Sequence, residues 1–291
     1  MAKKIKLNKY LKFSIKLVLS VAALIFVFSR INLTDVLKLY GHLKFGWLLP
    51  ALLFFIFSKI ISAIRLNNFF RCIDLLLSEL YNLKLYLLGM FYNIFLPGGI
   101  GGDGYKIYLL NKQHEVKTGK IIWATLVDRI TGAVTVIYLL VILSYFITFR
   151  LDFPIGKVAW IILPMGIAGY YFFLKIFFKY FIPVFLGVNL LALGVQILQA
   201  ASAYFILQAL GYNDQVIPYL FLFLISSIIA GLPITIGGIG SRELTFLIGA
   251  DIMGLNVEVS IAMSLMFYLI TLFVSLFGMY FSLFPGRLKT A

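Results

Sequence analysis

Long apolar runs alternate along the chain with short connectors that carry most of its lysines and arginines. A helix needs about 20 mostly apolar residues to cross a bilayer, and six runs reach or approach that length. They are 13–30, 46–64, 121–149, 158–178, 181–210 and 257–284. The pattern predicts an all-α, multi-pass membrane protein with six full transmembrane helices, forming one integral membrane domain over residues 1–291.

Two further apolar stretches, 83–110 and 216–250, are each interrupted near the middle by proline and glycine. Proline lacks a backbone donor and glycine adopts conformations that other residues avoid, so a helix entering such a segment should stop inside the membrane. Lipid cannot satisfy the freed backbone groups, which are tolerated only where protein or a water-filled cavity covers them. We predict two broken segments, each either a re-entrant hairpin or a pair of short crossing helices.

The two broken segments share a motif, Leu-Pro followed by Gly-Gly-Ile-Gly, which begins at Leu96 in the first copy and at Leu232 in the second. Each copy follows two full spans and precedes a third, so each half of the chain has an odd number of crossings. The halves, approximately 1–150 and 155–291, are therefore predicted to form an inverted repeat. Paired broken helices are typical of transporter substrate sites. The alternative is that the glycines only permit close helix packing.

Composition and charge fit this interpretation. The chain is 62% hydrophobic, with a mean hydropathy of +1.03, and its net charge of +14 comes from basic residues near helix ends. We assume that both broken segments return to the side of the membrane from which they start. Then 17 of the 25 lysines and arginines fall on the side of the membrane that holds both termini, and six fall on the opposite side. This bias predicts cytoplasmic termini in a cell membrane, and it excludes nucleic acid as the partner.

Five charged residues are predicted to lie at membrane depth. Asp103 is in the first glycine segment, Arg242 and Glu243 end the second, and Asp128 and Arg129 lie within the third long span. Insertion of such a group costs about 2.5–3.5 kcal/mol, so each is a candidate site residue. We expect Asp103 or the carbonyls of the broken helix to hold Arg129, whose guanidinium would face a phosphate. Structural salt bridges between helices are the alternative.

Other polar residues in the spans have simpler explanations. Lys59 is expected to extend its amine to the interface, and Arg65 to act as a cytoplasmic anchor. Gln196 and Gln199 are expected to form interhelical hydrogen bonds. One cysteine and two histidines give no basis for a disulfide or a histidine-rich metal site, and a nucleotide-binding Gly-x-x-x-x-Gly-Lys-Ser/Thr motif is absent. We expect no cofactor, and transport that is downhill or ion-coupled.

The ordered motifs resemble the flippase-like transmembrane region of lysylphosphatidylglycerol synthases, a family that includes stand-alone membrane proteins. The resemblance covers nearly the whole chain and implies a protein, not an enzyme, that moves a phosphate-bearing lipid between leaflets through a polar cavity between the broken helices. The positions that it implies as substrate-binding are Asn93, Pro97, Gly102, Asp103, Asp128, Arg129, Gly238, Gly240, Arg242 and Glu243.

The chain departs from the full synthases because it ends at Ala291, shortly after the last span. It is therefore not expected to make an aminoacyl-lipid itself. The cargo could be phosphatidylglycerol, an aminoacyl-phosphatidylglycerol made by a separate lipid-modifying enzyme, a polyprenyl-phosphate lipid or a hopanoid-like lipid. Two other functions stay open, an intramembrane transferase acting on a lipid-linked substrate and a membrane scaffold for a separate enzyme.

The charge count makes a testable prediction of topology. A single cysteine introduced as Lys112→Cys, in a chain whose Cys72 is replaced by serine, should react with a membrane-impermeant thiol reagent only from the cytoplasmic side. Labelling of intact cells and of inverted vesicles measures this. Reaction from outside the cell would contradict both the return of the first broken segment and the inverted repeat.

Overall fold

The computed structural model describes residues 17–18, 21, 24–30, 33–95, 101–147, 155–232, 235 and 237–288. Within these ranges all regular structure is helical. The helices are α1 (24–30), α2 (Leu33–Gly41), α3 (Leu48–Arg71), α4 (Glu79–Phe95), α5 (Gly101–Gln113), α6 (Thr118–Ser144), α7 (Ile155–Phe177), α8 (Phe185–Ala209), α9 (Val216–Gly231), α10 (Ser241–Met253) and α11 (Val257–Leu283). The prediction of an all-α fold is thus confirmed for the described part of the chain.

Among the described residues, four helical stretches are long and apolar enough to cross a membrane: Phe45–Arg71, Thr118–Ser144, Lys179–Ala209 and Val257–Leu283. They correspond to four of the six predicted full spans. The predicted span 158–178 overlaps α7, which ends at Phe177 and whose stretch Leu163–Phe177 is a shorter apolar helix. Most of the predicted span 13–30 lies outside the described residues, so six full crossings remain a prediction.

Both predicted broken segments consist of two helices separated by a break at the glycine motif. In the first, α4 ends at Phe95 and α5 begins at Gly101. In the second, α9 ends at Gly231 and α10 begins at Ser241. Pro97 and Pro233 are outside the described residues. Each helix pair packs against itself, α4 on α5 and α9 on α10.

The α4–α5 pair returns to the end of the bundle from which it starts. Near the beginning of α4, the Tyr81 hydroxyl donates a hydrogen bond to Oε1 of Gln113 at the end of α5, at 2.5 Å. Asp74, just after α3, lies 4.0 Å from the amine of Lys120 in the first turn of α6. The C-terminal end of α3 and the N-terminal end of α6 therefore share this end of the bundle.

The α9–α10 pair opens at the other end. Tyr219, near the start of α9, accepts a hydrogen bond from the backbone N–H of Asn256, the N-cap of α11, at 3.0 Å. The carbonyl of Ala209, which ends α8, accepts from the N–H of Lys44, which precedes α3, at 2.9 Å. Since α8 leads into α9 and α10 leads into α11, this pair starts and returns at the end where α3 begins.

The end of α4 meets the tip of the second pair, the glycine turn before α10, inside the bundle. A Cβ placed on Gly237 would lie 3.6 Å from the Cα of Ile94, one residue before the end of α4. Gly237, Gly238 and Gly240 have φ values of +60°, +79° and +83°, which L side chains rarely adopt. The second tip is therefore a turn that only glycine forms without strain.

Gly102 brings α4 and α5 into backbone contact. A Cβ added there would lie only 1.8 Å from the carbonyl oxygen of Gly89, a distance that no relaxation of a side chain could relieve. The N–H of Gly102 also donates to Oδ1 of Asn93 at 2.8 Å, so Asn93 caps the start of α5. The packing role considered for the glycines therefore applies to Gly102.

This contact predicts that Gly102→Ala strongly destabilises the protein, because α4 and α5 must separate to admit a methyl group. Gly104→Ala is the matched control, since nothing lies within 4 Å of its added Cβ. In a helix that replacement should be neutral or stabilise by up to about 1 kcal/mol. Thermal unfolding in detergent measures both variants. Equal stability of the two would contradict the α4–α5 packing.

Candidate functional site

Five charged side chains meet in a pocket between α3, α4, α5 and α6. The carboxylates are Asp103 and Asp128, and the bases are Arg65, Lys106 and Arg129. The pocket has a volume of about 160 Å³ and is also lined by Tyr86, Asn93 and Thr125. We call it the ionic pocket. Its residues come from both sides of the first break, so the fold brings together groups that are far apart in the sequence.

Asp103 binds two basic side chains. Its Oδ1 lies 2.7 Å from the amine of Lys106, one turn along α5, and its Oδ2 accepts a hydrogen bond from Nε of Arg129 on α6. Asp103 also lies in the first turn of α5, where the partial positive charge of the helix end favours a carboxylate. The expectation that Asp103 holds Arg129 is confirmed. The Arg129 side chain remains 33% exposed.

Arg65 and Asp128 form a buried two-contact ion pair. Nε of Arg65 lies 2.7 Å from Oδ1 of Asp128, and Nη2 lies 3.2 Å from Oδ2. The third nitrogen of Arg65, Nη1, is buried and has no hydrogen-bond partner among the residues that the structure describes. The guanidinium packs against Gly132, where an added Cβ would be in ordinary van der Waals contact with Nη1 and Nη2 at 3.5 Å. Arg65 is thus part of the site.

The expectation that Arg65 is an interfacial anchor is wrong. The predicted span ended at residue 64, but α3 continues to Arg71, which places Arg65 inside the bundle. A signal was present in the sequence, since Ser58, Ser62 and Arg65 follow one another at helical spacing and form a polar stripe on an apolar helix. Ser58 and Ser62 are also buried.

The charge of the ionic pocket favours an anion. Three basic side chains face two carboxylates, so the formal charge of its ionisable lining is one positive. The orphaned Nη1 of Arg65 adds a hydrogen-bond donor without an acceptor. In a site of low dielectric constant such an excess is much stronger than at a surface. A phosphate or another small oxyanion fits this arrangement chemically.

A second basic cluster lies on the α10 side of the bundle. The guanidinium carbon of Arg242 lies 5.1 Å from the centre of the Phe267 ring, and the amine of Lys59 lies 4.5 Å from that of Phe55. The two rings contact each other edge to face at 5.4 Å. Aromatic faces stabilise a cation without neutralising it. We call Lys59 and Arg242 the aromatic-backed cations.

Neither of these two cations has a carboxylate within 4.0 Å in the described part of the chain. Nη1 of Arg242 is buried and, within the described ranges, has no hydrogen-bond partner. Lys59 was expected to reach the interface from near a helix end, but the longer α3 places it midway along the helix. The second cluster is therefore positively charged. It includes Lys59, which was expected at the membrane interface and not at a site.

Glu243 stabilises the turn that precedes α10. One of its oxygens accepts from the N–H of Gly240 at 2.8 Å and the other from the hydroxyl of Ser264 on α11 at 3.0 Å. The side chain is thus a helix cap for α10, and both oxygens are occupied. Gly238 packs closely, since its Cβ would lie 3.0 Å from the Cβ of Ala230 on α9. Glu243 and Gly238, both predicted site residues, thus stabilise the turn before α10.

The predicted site residues consequently divide into three groups. Those that line the ionic pocket are Asn93, Asp103, Asp128 and Arg129, and those in or beside the second cluster are Gly238, Gly240, Arg242 and Glu243. Gly102, in the first turn of α5, forms the third group at the contact with α4. Pro97 lies outside the described residues. The structure adds Arg65, Lys106 and Lys59.

A larger groove adjoins the ionic pocket. It has a volume of about 340 Å³, runs between α6, α8 and α9, and has a mostly apolar lining that includes Ile130, Ala133, Val136, Ile228 and Leu232. Arg129 lines both the groove and the ionic pocket. We call this cavity the apolar groove. A charged pocket and an apolar groove thus share one wall.

The fold and site define a helical membrane protein with a buried, net-positive polar centre next to an apolar groove. Residues 13–278 match the family described as lysylphosphatidylglycerol synthase TM region. The chain belongs to this family, and the resemblance identified from the sequence is confirmed. Membership indicates a membrane-lipid-related function. No match was found among curated proteins or among solved structures.

The Arg65–Asp128 pair generates a prediction about stability. Asp128→Asn should destabilise the protein by about 3–5 kcal/mol, because it leaves the Arg65 charge buried without compensation. The double variant Arg65→Met, Asp128→Leu should recover most of that loss, since both charges are gone. Thermal unfolding in detergent is the measurement.

The control for this prediction is the exposed pair of Asp35 and Lys38, whose contact is 2.8 Å long. Asp35→Asn should change stability by less than about 1 kcal/mol, because exposed ion pairs contribute little. A double variant as unstable as Asp128→Asn would show that Asp128 contributes through contacts other than its ion pair with Arg65.

Proposed function

We propose that this protein moves a phosphate-bearing lipid between the two leaflets without changing it chemically. The proposal rests on one observation: Arg129 lines both the ionic pocket and the apolar groove. A net-positive ionic pocket suits a phosphate headgroup, and the adjoining apolar groove suits the hydrocarbon attached to it. A soluble phosphorylated metabolite has no long hydrocarbon chain that could occupy such a groove.

Arg129 is the residue expected to hold the headgroup. Asp103 accepts the hydrogen bond from its Nε and so fixes the side chain, while a third of the side chain remains exposed. A guanidinium can bind two phosphate oxygens at once, whereas a lysine amine acts as a point charge. Lys106 is held by the same carboxylate and adds positive charge.

The route across the membrane would use both broken segments. The α4–α5 pair opens at one end of the bundle and α9–α10 at the other, and their tips meet at Ile94 and Gly237. We propose that the headgroup passes from the ionic pocket to the aromatic-backed cations, Lys59 and Arg242. In this scheme the pairs are the related parts of an inverted repeat, in a cell membrane with both termini cytoplasmic.

A vesicle assay tests the transport proposal. Purified protein is reconstituted with labelled phosphatidylglycerol in one leaflet, and its redistribution and chemical state are measured. Arg129→Ala should slow redistribution about 10- to 100-fold, which corresponds to the loss of a hydrogen bond to a charged group. Arg129→Lys should restore only part of the rate, and Arg242→Ala should also slow it.

The matched control is Arg71→Ala, because Arg71 is an exposed arginine paired with Glu79 at the end of α3. It should transport at the normal rate. A stable Arg129→Ala protein that is as fast as the control would overturn the phosphate-holding role of Arg129. Conversion of the labelled lipid would indicate a transferase instead, and no redistribution by the unaltered protein would contradict transport of this lipid.

A further inference from the structure

Lys59 is a cation in the middle of a membrane-spanning helix. It is the twelfth of the 24 residues of α3, so more than about 15 Å of helix separates it from either end, at 1.5 Å per residue. The side chain is partly buried, and its amine lies over the ring of Phe55, one turn earlier on the same helix. A lysine close to a helix end can extend its amine to the interface, but Lys59 is too deep for that. Its charge must be accommodated inside the protein.

The charges that act on the Lys59 amine are both positive. They belong to Arg242 of α10 and to Arg65, which follows Lys59 by six residues on α3. In the described part of the chain no carboxylate lies within 4.0 Å of the amine. Asp128 is paired with Arg65, and Glu243 uses both of its oxygens to cap α10 and to bind α11. Among the described residues Lys59 therefore has two like charges nearby and no counter-ion.

The helices packed against α3 offer Lys59 no further charge. They are mainly α4, α6, α8 and α11. Helix α8 carries no charged residue, and its one titratable side chain, Tyr204, is exposed. The other charged or titratable groups on the surrounding helices and on α2 that lie toward the interior are not among those that act on the amine; they are Tyr40, Tyr86, Asp128, Arg129, Glu243 and Tyr268.

Lysine and arginine differ in what they can do at such a position. A guanidinium keeps its proton in proteins, whereas a lysine amine can release its proton and accept it again. A proton on Lys59 and an anion beside it attract each other. By thermodynamic linkage, each then raises the affinity of the protein for the other by the same factor. Since Arg242 stays charged, Lys59 is the one of the two aromatic-backed cations whose charge can change.

We propose that Lys59 binds a proton together with the anionic headgroup and releases it when the headgroup leaves, so that each lipid anion crosses the membrane with one proton. This inference rests on the proposed function and assigns the ion to which transport is coupled. The proton passes from water to the lone pair of the Lys59 amine and back to water on the other side, and no bond of the lipid changes. One positive and one negative charge move together, so the crossing is electroneutral.

A pH gradient across vesicles tests the coupling. The protein is reconstituted with trace labelled phosphatidylglycerol, valinomycin and equal potassium hold the membrane potential at zero, and the label in each leaflet is measured once it is constant. A lumen one pH unit more acidic than the outside should raise the ratio of outer-leaflet to inner-leaflet label by up to about tenfold, the value for one proton per lipid. Reversing the gradient should reverse the shift. Vesicles without protein give the background.

The variant Lys59→Arg separates the charge from the exchangeable proton, because it keeps a cation that does not release its proton. It should still redistribute the label, but the final ratio should no longer follow the pH gradient. The ratio should instead follow an imposed membrane potential, since a lipid anion that crosses alone carries net charge. The unaltered protein should not respond to the potential.

The matched control is Lys175→Arg. Lys175 also lies over an aromatic ring, that of Tyr171 at 5.9 Å, but it is exposed in the last turn of α7. This variant should follow the pH gradient as the unaltered protein does.

The variant Lys59→Met tests whether Lys59 lacks a counter-ion. Its unfolding temperature in detergent should equal or exceed that of the unaltered protein, because no carboxylate loses a partner. A lower unfolding temperature that Lys59→Arg restores would reveal a carboxylate partner and overturn the inference.

The outcomes separate this inference from the proposal beneath it. If the unaltered protein redistributes phosphatidylglycerol but the ratio ignores the pH gradient, or if Lys59→Arg still follows the gradient, the inference is overturned while transport stands. If the unaltered protein moves no lipid, the transport proposal fails and proton uptake decides. Phosphatidylglycerol added to the protein in weakly buffered detergent solution should cause proton uptake by the unaltered protein and none by Lys59→Arg. No difference between the two proteins overturns the inference.

Discussion

The structure depends on how two buried carboxylates are compensated. Asp103 binds Lys106 and Arg129, and Asp128 binds Arg65, so three helices of the first half are joined by ion pairs rather than by apolar packing alone. In a low-dielectric interior a missing partner costs several kcal/mol, which restricts how α3, α5 and α6 can move relative to one another. The same arrangement leaves one positive charge in excess. Stability and anion affinity therefore arise from one set of contacts.

Close backbone contact is what allows these charges to meet. Gly89 and Gly102 bring α4 against α5, and Gly278 does the same for α11 and α4, where an added Cβ would lie 2.1 Å from the Leu87 carbonyl oxygen. Helix packing in membranes relies on such small residues, because lipid provides no hydrophobic force between helices. The glycines of the second tip have a different task, since their positive φ angles form the turn before α10.

Much of the fold could be predicted from the sequence because hydropathy and the Leu-Pro…Gly-Gly-Ile-Gly motif are local signals. Both breaks lie where the motif placed them, and the partnership of Asp103 with Arg129 followed from the cost of buried charge. Arg65 and Lys59 were misjudged because hydropathy ended the second span too early, whereas packing against α8 extends α3 to Arg71. The pairing of Arg65 with Asp128 joins residues 63 positions apart, and no local pattern encodes it.

The two basic clusters differ in a way that bears on how transport would proceed. Arg129 is held through its Nε by Asp103, so an anion that binds the exposed part of the guanidinium lies near a carboxylate that repels it and can be released again. Arg242 and Lys59 are backed by the rings of Phe267 and Phe55, which stabilise positive charge without competing for an anion. The first cluster is thus suited to exchange with the membrane, and the second to attract a headgroup once it passes the tips. A lipid crossing between the two clusters would therefore meet unequal affinities for its headgroup.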